Sequence, residues 1–281
     1  MKRIFVLWCA AALFAVACEK ENPTPAQENP TNPSDTTQTD TTQTDTIPIY
    51  PPTADVIYNA VTDYDGNSYD AVRIGNQVWM ASNLRTTHYA NGEDIPEGTT
   101  PSDTEPYRYN PDNNEANVAA YGYLYNWPAV MHGANSSSAN PSGVQGVCPD
   151  GWHVPSDAEW SQLTDYCFSQ TEYVCSGNGD NIAKSLAADH DWVLSTNVCA
   201  VGNDLSSNNA TGFSAMPAGR YNGPYNGSYD FFGGTAYFWS ATATEYDSST
   251  VYSRSLDCYY ANVAFGHNGK GNGFSVRCVR D

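Results

Sequence analysis

The chain has 281 residues, and its 31 Asp and Glu against 12 Lys and Arg give a formal net charge of −19 at pH 7. A surface this acidic repels phosphate backbones and anionic lipid headgroups, which argues against nucleic-acid binding and electrostatic membrane docking. Aromatic residues make up 13% of the chain and charged residues only 15%, a balance typical of a β-rich extracellular protein.

The first residues predict export. Lys2 and Arg3 precede an apolar run over residues 4–16, which is too short to span a membrane and suits a secretory signal. The run ends in Ala-Val-Ala before Cys18, which resembles the lipobox where a bacterial signal peptidase cuts and the cysteine is acylated. We expect residues 1–17 to be a signal peptide and Cys18 to carry lipid. The alternative is an ordinary cleavage site with Cys18 as a small apolar neighbour.

Residues 18–55 predict a disordered linker, because Pro, Thr, Asn, Gln and acidic residues cannot bury enough surface to offset chain entropy. The linker repeats Asp-Thr-Thr-Gln-Thr. Its Asp-Thr pairs at Thr36, Thr41 and Thr46 resemble the acceptor sites of the general O-glycosylation system of Bacteroidota. A plain low-complexity spacer is the alternative.

From Val56 the composition becomes that of one globular domain. The pattern predicts a hairpin of strands Ser68–Ile74 and Gln77–Met80 around a two-residue Gly-Asn loop. An aromatic strand is expected over residues 121–127. Further strands are predicted over residues 212–216, 237–242, 251–256 and 274–279.

A capping box predicts the main helix, over residues 156–168. Ser156 is the N-cap and Glu159 stands three residues later. Asp180 is expected to cap a second helix over residues 181–188. The apolar side of the first helix is predicted to carry Trp160, Leu163, Thr164 and Cys167.

Six cysteines follow the signal peptide, and an even number in an exported chain predicts disulfides. No Cys-x-x-Cys spacing supports zinc as the alternative. These cysteines are Cys148, Cys167, Cys175, Cys199, Cys258 and Cys278.

Motifs for catalysis or cofactor binding are missing from the sequence. The five histidines lack the HExxH spacing, and neither a Gly-x-Ser-x-Gly elbow nor a Gly-rich phosphate loop occurs. We therefore predict no enzyme, no cofactor and no metal site.

The candidate binding residues are Tyr221, Tyr225 and Tyr229, which recur every four residues among Gly, Asn and Pro. Exposed aromatic faces beside amides suit stacking on sugar rings or gripping a peptide. The alternative is a loop whose tyrosines cover the core. Trp127 and His132 flank a second aromatic segment, in which Trp127 is expected to be a core residue.

Three separated stretches carry a family resemblance. They are Gly-Val-Cys-Pro-Asp-Gly-Trp-His-Val-Pro at residues 146–155, Asp-Gly-Asn-Ser-Tyr with Val-Trp-Met-Ala-Ser-Asn-Leu within 65–84, and Gly-Phe-Ser-Val-Arg-Cys-Val-Arg-Asp at 273–281. Together they closely resemble the Fibrobacter succinogenes major paralogous domain of bacterial surface lipoproteins, which is grouped with the C-type-lectin-like fold. The resemblance implies an α+β domain over residues 56–281, with two helices, short antiparallel strands and long loops.

Cys148 and Cys278 lie inside these family motifs and are the expected disulfide pair, while the order among the other four cysteines stays open. The run from His153 to Trp160 also resembles formylglycine-generating enzymes of the same broad fold. Those oxidases hold copper with two nearby thiols, whereas Cys258 stands alone in its segment. We read the shared run as fold-forming.

These observations predict a lipid-anchored protein on the outer membrane, facing the cell exterior. Its expected role is binding or adhesion to a glycan or a surface protein, with membrane contact through the lipid alone. The alternative is a structural or assembly component of a surface filament. An enzyme ranks third.

Overall fold

In the computed structural model, residues 54–177, 180–223 and 227–281 are described. The signal peptide, Cys18 and the three threonines Thr36, Thr41 and Thr46 lie outside these ranges. The first strand begins at Asp55, one residue ahead of the predicted domain start. Among the described residues, no helix is long and apolar enough to cross a membrane.

A five-stranded sheet and a three-stranded sheet form the framework, and every pairing between their strands is antiparallel. The larger sheet has the order β1-β2-β3-β12-β6 and the smaller one β11-β10-β9. Two strand pairs, β4-β5 and β7-β8, complete the β structure. The strands are β1 Asp55–Thr62, β2 Ser68–Ile74, β3 Gln77–Met80, β4 Arg108–Tyr109, β5 Leu124–Tyr125, β6 Trp152–His153, β7 Arg220–Asn222, β8 Ser228–Asp230, β9 Thr235–Ala243, β10 Thr250–Asp257, β11 Ala264–Gly269 and β12 Val279–Arg280.

Four α-helices lie among the described residues, and most are a single turn. They are α1 Val118–Tyr121, α2 Trp127–Met131, α3 Asp157–Ser169 and α4 Ala183–Leu186. The chain is therefore a mixed α and β protein in which sheet dominates, as the sequence predicts.

The predicted capping box starts α3. Ser156 Oγ accepts from the backbone N–H of Glu159, and the Glu159 carboxylate accepts from the backbone N–H of Ser156. Trp160, Leu163 and Cys167 are buried, while Thr164 is half-buried and bonds to the helix backbone. The second helix is shorter than predicted, because α4 begins after Ile182 and has no side-chain cap, so Asp180 does not cap it.

The β2–β3 hairpin divides the core. Tyr69 and Met80 belong to one hydrophobic cluster, and Val72 and Trp79 belong to another. Because neighbouring residues of a strand point to opposite faces, the hairpin has apolar packing on both sides. Helix α3 covers one face through Trp160, whose ring lies 4.6 Å from that of Trp79.

Three predicted strands are wrong in whole or part. Residues 121–127 hold the end of α1, the two-residue β5 and the start of α2. Residues 212–216 make only a single bridge at Ala215, since Ser214 has a left-handed φ of 54° that interrupts an extended strand. In residues 274–279 the backbone bonds in turn to Tyr125, Tyr237 and Leu84 and not to one neighbouring strand, so only bridges and the start of β12 remain.

The structure contains the expected disulfide between Cys148 and Cys278, which closes a span of 130 residues. Cys175 and Cys199 form a second bond. The prediction that all six cysteines pair is wrong, because Cys167 and Cys258 are free and buried. Both thiols lie in the hydrophobic cluster that contains Trp79 and Trp160, where a cysteine packs as a small apolar residue. Burial raises the pKa of Cys167 to about 12 and that of Cys258 to about 11.

Candidate functional site

A cleft lies at the start of α2, and Asn126 holds the segments that line it in place. The Asn126 amide oxygen caps the helix by accepting from Ala129 N–H at 3.2 Å and also accepts from Tyr107 N–H at 2.8 Å. Its amide nitrogen donates to the carbonyls of Ser102 and Glu105. One buried side chain thus holds α2 against the loop of residues 102–107.

Trp127 follows this cap and forms one side of the cleft. Its indole N–H donates to Ser240 O at 3.0 Å, and its side chain is nearly buried. Lys270 Nζ lies 4.8 Å from the centre of the Trp127 ring, a cation–π contact. The backbone N–H of Trp127 donates to the carbonyl of Lys270, which fixes the two residues side by side.

The other end of α2 supplies His132. Its left-handed backbone, with φ 48°, ends the helix and directs the chain away. The imidazole stacks on Tyr89 at a ring distance of 3.6 Å and an interplanar angle of 8°. His132 Nε2 lies 3.0 Å from Glu93 Oε2, and this hydrogen bond lowers the pKa of Glu93.

Tyr89 is 2% exposed, yet its hydroxyl has no hydrogen-bond partner among the described residues. Burial, with a smaller contribution from the Glu93 charge, raises the pKa of Tyr89. The hydroxyl is therefore protonated at neutral pH. Its oxygen is enclosed by protein atoms, so Tyr89 lines the cleft through its other atoms.

The cleft has a volume of about 250 Å³, near the lower end of ligand sites in proteins. Its walls are mainly apolar and aromatic, and carboxylates and an amine stand among them. The lining residues are Tyr89, Glu93, Asp103, Thr104, Pro106, Trp127, Pro128, Met131, His132, Gly133, Ala134 and Lys270. Aromatic and apolar walls beside hydrogen-bonding charged groups can hold a ring that has one apolar face and several hydroxyls.

The predicted tyrosine site is wrong for Tyr221, which is buried rather than exposed. Tyr221 is 3% exposed and stacks on Tyr109 at 3.8 Å. Its backbone exchanges two hydrogen bonds with Gly273, and a Cβ on that glycine would lie only 2.9 Å from Tyr109 and Tyr221 atoms. The glycine thus allows the backbone to approach the tyrosine stack.

Tyr229 lies opposite Tyr221 in the β7–β8 hairpin, with the two rings 5.3 Å apart at a steep angle. It is half-buried, and burial, followed by the neighbouring Tyr221 and Glu97, raises its pKa to about 12. Tyr225 lies outside the described residues. Tyr221 and Tyr229 lie on two short strands that pair with each other. The Gly and Asn residues between the tyrosines did not prevent this pairing.

Sequence reasoning identified Trp127 and His132 as an ambiguous aromatic segment, and the structure brings both to the cleft. It missed Tyr89, Glu93 and Lys270. Their distance along the chain hides them, because no local pattern relates residue 89 to residue 270. The only signal in the sequence was Asn126, the residue that caps α2. It lay near the end of the strand predicted over residues 121–127, so the helix start was not recognised.

A second polar cluster lies near α3. His153 Nδ1 is 2.6 Å from Asp281 Oδ1, and its Nε2 is 2.6 Å from Glu159 Oε1. Burial alone would lower the pKa of His153, but the hydrogen bonds and charges of Glu159 and Asp281 outweigh burial and raise it. Because Glu159 also caps α3 and accepts from Ser142 N–H, this cluster stabilises the fold.

No cluster of three or more His, Cys, Asp or Glu with metal-binding geometry occurs in the part of the chain that the structure describes. No curated protein and no solved structure matches the chain. The sequence model of the Fibrobacter succinogenes major domain family matches residues 72–280, which include β3, Trp127 and Lys270. The chain therefore belongs to the Fibrobacter succinogenes major domain family.

Proposed function

We propose that this protein binds glycans at the cell surface through the cleft at the start of α2. The observation that carries the proposal is the stacked Tyr89–His132 pair facing the same cleft as Trp127, with Glu93, Asp103 and Lys270 among the lining side chains. Sugar rings combine apolar C–H faces with a rim of hydroxyls, and these walls offer partners for both.

The size of the cleft suits a small ring. Its volume of about 250 Å³ lies near the lower end of the volumes of small-molecule sites, about 300 to 1,000 Å³. We expect it to take one sugar residue, such as the end of a chain. The Lys270 ammonium supplies a donor, and Asp103 supplies an acceptor for sugar hydroxyls.

The test begins with the purified chain on a glycan array and continues with calorimetric titration of the glycans that bind. Lys270→Met keeps apolar contact with Trp127 but removes the charge, and we expect affinity to fall about tenfold, the equivalent of about 1.4 kcal/mol. Arg73→Met is the matched control, because Arg73 is an exposed cation on β2 that does not line the cleft. Absence of any glycan binding, or equal losses in both variants, would contradict the proposal.

We also propose that acylation of Cys18 holds the protein on the outer membrane and that residues 19–53 act as its tether, with O-glycans on Thr36, Thr41 and Thr46. The lipobox-like Ala-Val-Ala-Cys supports the anchor. Cys18→Ala should move the protein from the membrane fraction to the soluble fraction. Unchanged membrane partitioning would count against the anchor.

The domain itself we propose to be C-type-lectin-like. The antiparallel sheets, the one long helix α3 and the irregular connections between α4 and β9 support that assignment. An experimentally determined structure that superposes on lectin-like domains in strand order would test it, and a different strand order would reject it.

A further inference from the structure

Two charged side chains of opposite sign line the cleft without pairing. Lys270 lies over the ring of Trp127, with Nζ 4.8 Å from the ring centre. Asp103 faces the next residue of that segment, because a Cβ on Gly271 would lie 2.8 Å from Asp103 Oδ1. Neither the ammonium nor the carboxylate makes a hydrogen bond or an ion pair with any residue that the structure describes. Both charges are therefore available to a ligand.

The start of α2 fixes the backbone that carries these two charges. The first N–H of the helix donates to the carbonyl of Lys270 at 3.0 Å. The Asn126 amide nitrogen donates to the carbonyls of Ser102 and Glu105, which lie on either side of Asp103 in the chain. Because both segments are held by the same few residues, their positions are set before a ligand binds, and little ordering is required on binding.

The remaining titratable groups that could carry charge in the cleft are paired with each other. Glu93 Oε2 lies 3.0 Å from His132 Nε2, and the imidazole stacks on Tyr89. The Glu93 carboxylate therefore already has a hydrogen-bond partner within the protein. The charges left for a ligand are one positive and one negative, so the available part of the cleft is neutral although the whole protein is strongly acidic.

We propose that the cleft selects an uncharged sugar ring and discriminates against sugars that carry a carboxylate or an amine. The inference rests on the proposed glycan function and adds the class of sugar. Each hydroxyl can both donate and accept, so a neutral ring can satisfy Lys270 and Asp103 together. A carboxylate would bind Lys270 but lie near Asp103, and an amine would bind Asp103 but lie near Lys270. Like charges held together in a largely apolar cleft are unfavourable.

The charge of the whole protein acts in the same direction against acidic sugars. The net charge of −19 repels anions at a distance. It attracts cations, so Lys270 is the residue that excludes amino sugars from the cleft itself. Salt screens the long-range field, because the Debye length falls from about 30 Å at 0.01 M to about 3 Å at 1 M. Affinity for a neutral sugar should therefore not depend on salt, whereas affinity for a carboxylated sugar should rise with it.

NMR titration of the exported full chain tests this inference, with Cys18→Ser to keep lipid from interfering. The probes are the methyl glycosides of glucose and galactose, together with the derivatives of each that carry a carboxylate or an amine at C6. Members of a series share one ring and differ only in charge at one carbon. We expect the neutral member of the series that binds to have an affinity at least about tenfold higher than either charged member.

Two variants should shift the selectivity in opposite directions. Asp103→Asn removes the negative charge and keeps an acceptor, so the affinity for the carboxylated sugar relative to the neutral one should rise about tenfold. Lys270→Met should raise the relative affinity for the amine by a similar factor. Asp165→Asn and Arg73→Met are matched controls, because they make the same changes in net charge at exposed positions on α3 and β2 that do not line the cleft.

Support requires that the neutral sugar binds most tightly and that the relative affinities shift only in the two cleft variants. Thermal unfolding of each variant confirms that it is folded. A charged sugar that binds the unmodified cleft as tightly as the neutral one would overturn this inference, and so would equal shifts in the controls or no binding by any of these sugars. The glycan array decides the proposed function separately, because its glycans include charged as well as neutral sugars.

Discussion

The cleft and the β7–β8 hairpin are both rich in aromatic residues, but they use them differently. In the hairpin, Tyr221 is enclosed by Tyr109 and Tyr229 and contributes to the core. In the cleft, Tyr89 is buried as well, but the half-buried His132 that stacks on it lines an opening. The difference shows that composition alone does not separate the lining of a cleft from a packed core, since strand pairing decides which rings are covered.

The two regions share one segment of chain. Lys270 lies in the cleft, Gly273 pairs with Tyr221, and Phe274 pairs with Tyr125. Four residues later, Cys278 binds Cys148. The disulfide therefore anchors a segment on which both regions depend, and removing it should affect them together.

The largest expected effect is loss of this disulfide. Cys278→Ser opens a span of 130 residues, and the chain-entropy estimate for that length is about 5 kcal/mol of unfolding free energy. Urea unfolding at equilibrium measures the change. Cys175→Ser opens only 24 residues and should cost less, about 3 kcal/mol. A larger loss from Cys175→Ser would show that loop length does not govern these bonds.

Next in size is Tyr221→Ala, which removes a buried ring from its stack on Tyr109. We expect the unfolding free energy to fall by about 3 to 5 kcal/mol, as for other buried aromatic residues. The half-buried Tyr229 should cost less when changed to alanine. A change below about 1 kcal/mol for Tyr221 would contradict its place in the core and restore the hairpin as a candidate binding loop.

A smaller effect concerns pH and the buried His153. Its pKa is raised in the folded state, so its contribution to stability is full below the unfolded value of about 6.5 and is lost as pH rises through the folded value. Neutral imidazole can donate to only one of its two carboxylates, and a charge-assisted hydrogen bond contributes about 1.5 to 3 kcal/mol.

Urea unfolding between about pH 6 and about pH 9 follows this loss across the His153 titration. In His153→Gln the pH dependence over that range should be smaller than in the wild type. Equal pH profiles for His153→Gln and the wild type would exclude His153 as the group responsible.

Local signals predicted the elements that depend on local chemistry. The β2–β3 hairpin follows from its Gly-Asn loop and alternating apolar residues, and α3 follows from the Ser156–Glu159 capping box. The domain family and the Cys148–Cys278 bond followed from motif resemblance, and both are found. Of the twelve strands among the described residues, β2, β3, β9 and β10 were predicted, together with the long helix α3.

The cleft could not be predicted, because long-range contacts assemble it. Asn126 bonds to three backbone groups of the loop of residues 102–107 and to one in α2, and Lys270 reaches Trp127 from the far end of the chain. Tyr221 was misassigned for the same reason, since Gly273 and Tyr109 enclose it from distant segments. Positions that depend on such contacts carry no periodic signal.

The most direct test of the central claim compares His132→Asn with His190→Asn. Each histidine pairs with a carboxylate near the surface, but only His132 lines the cleft. Asparagine tolerates the left-handed backbone of residue 132, so His132→Asn removes the ring that stacks on Tyr89 without forcing the chain to move. Calorimetric titration with the array-selected glycan should show an affinity loss of about fivefold or more for His132→Asn and none for His190→Asn. Unchanged affinity in His132→Asn, or an equal loss in both variants, would contradict the assignment of the cleft as the binding site.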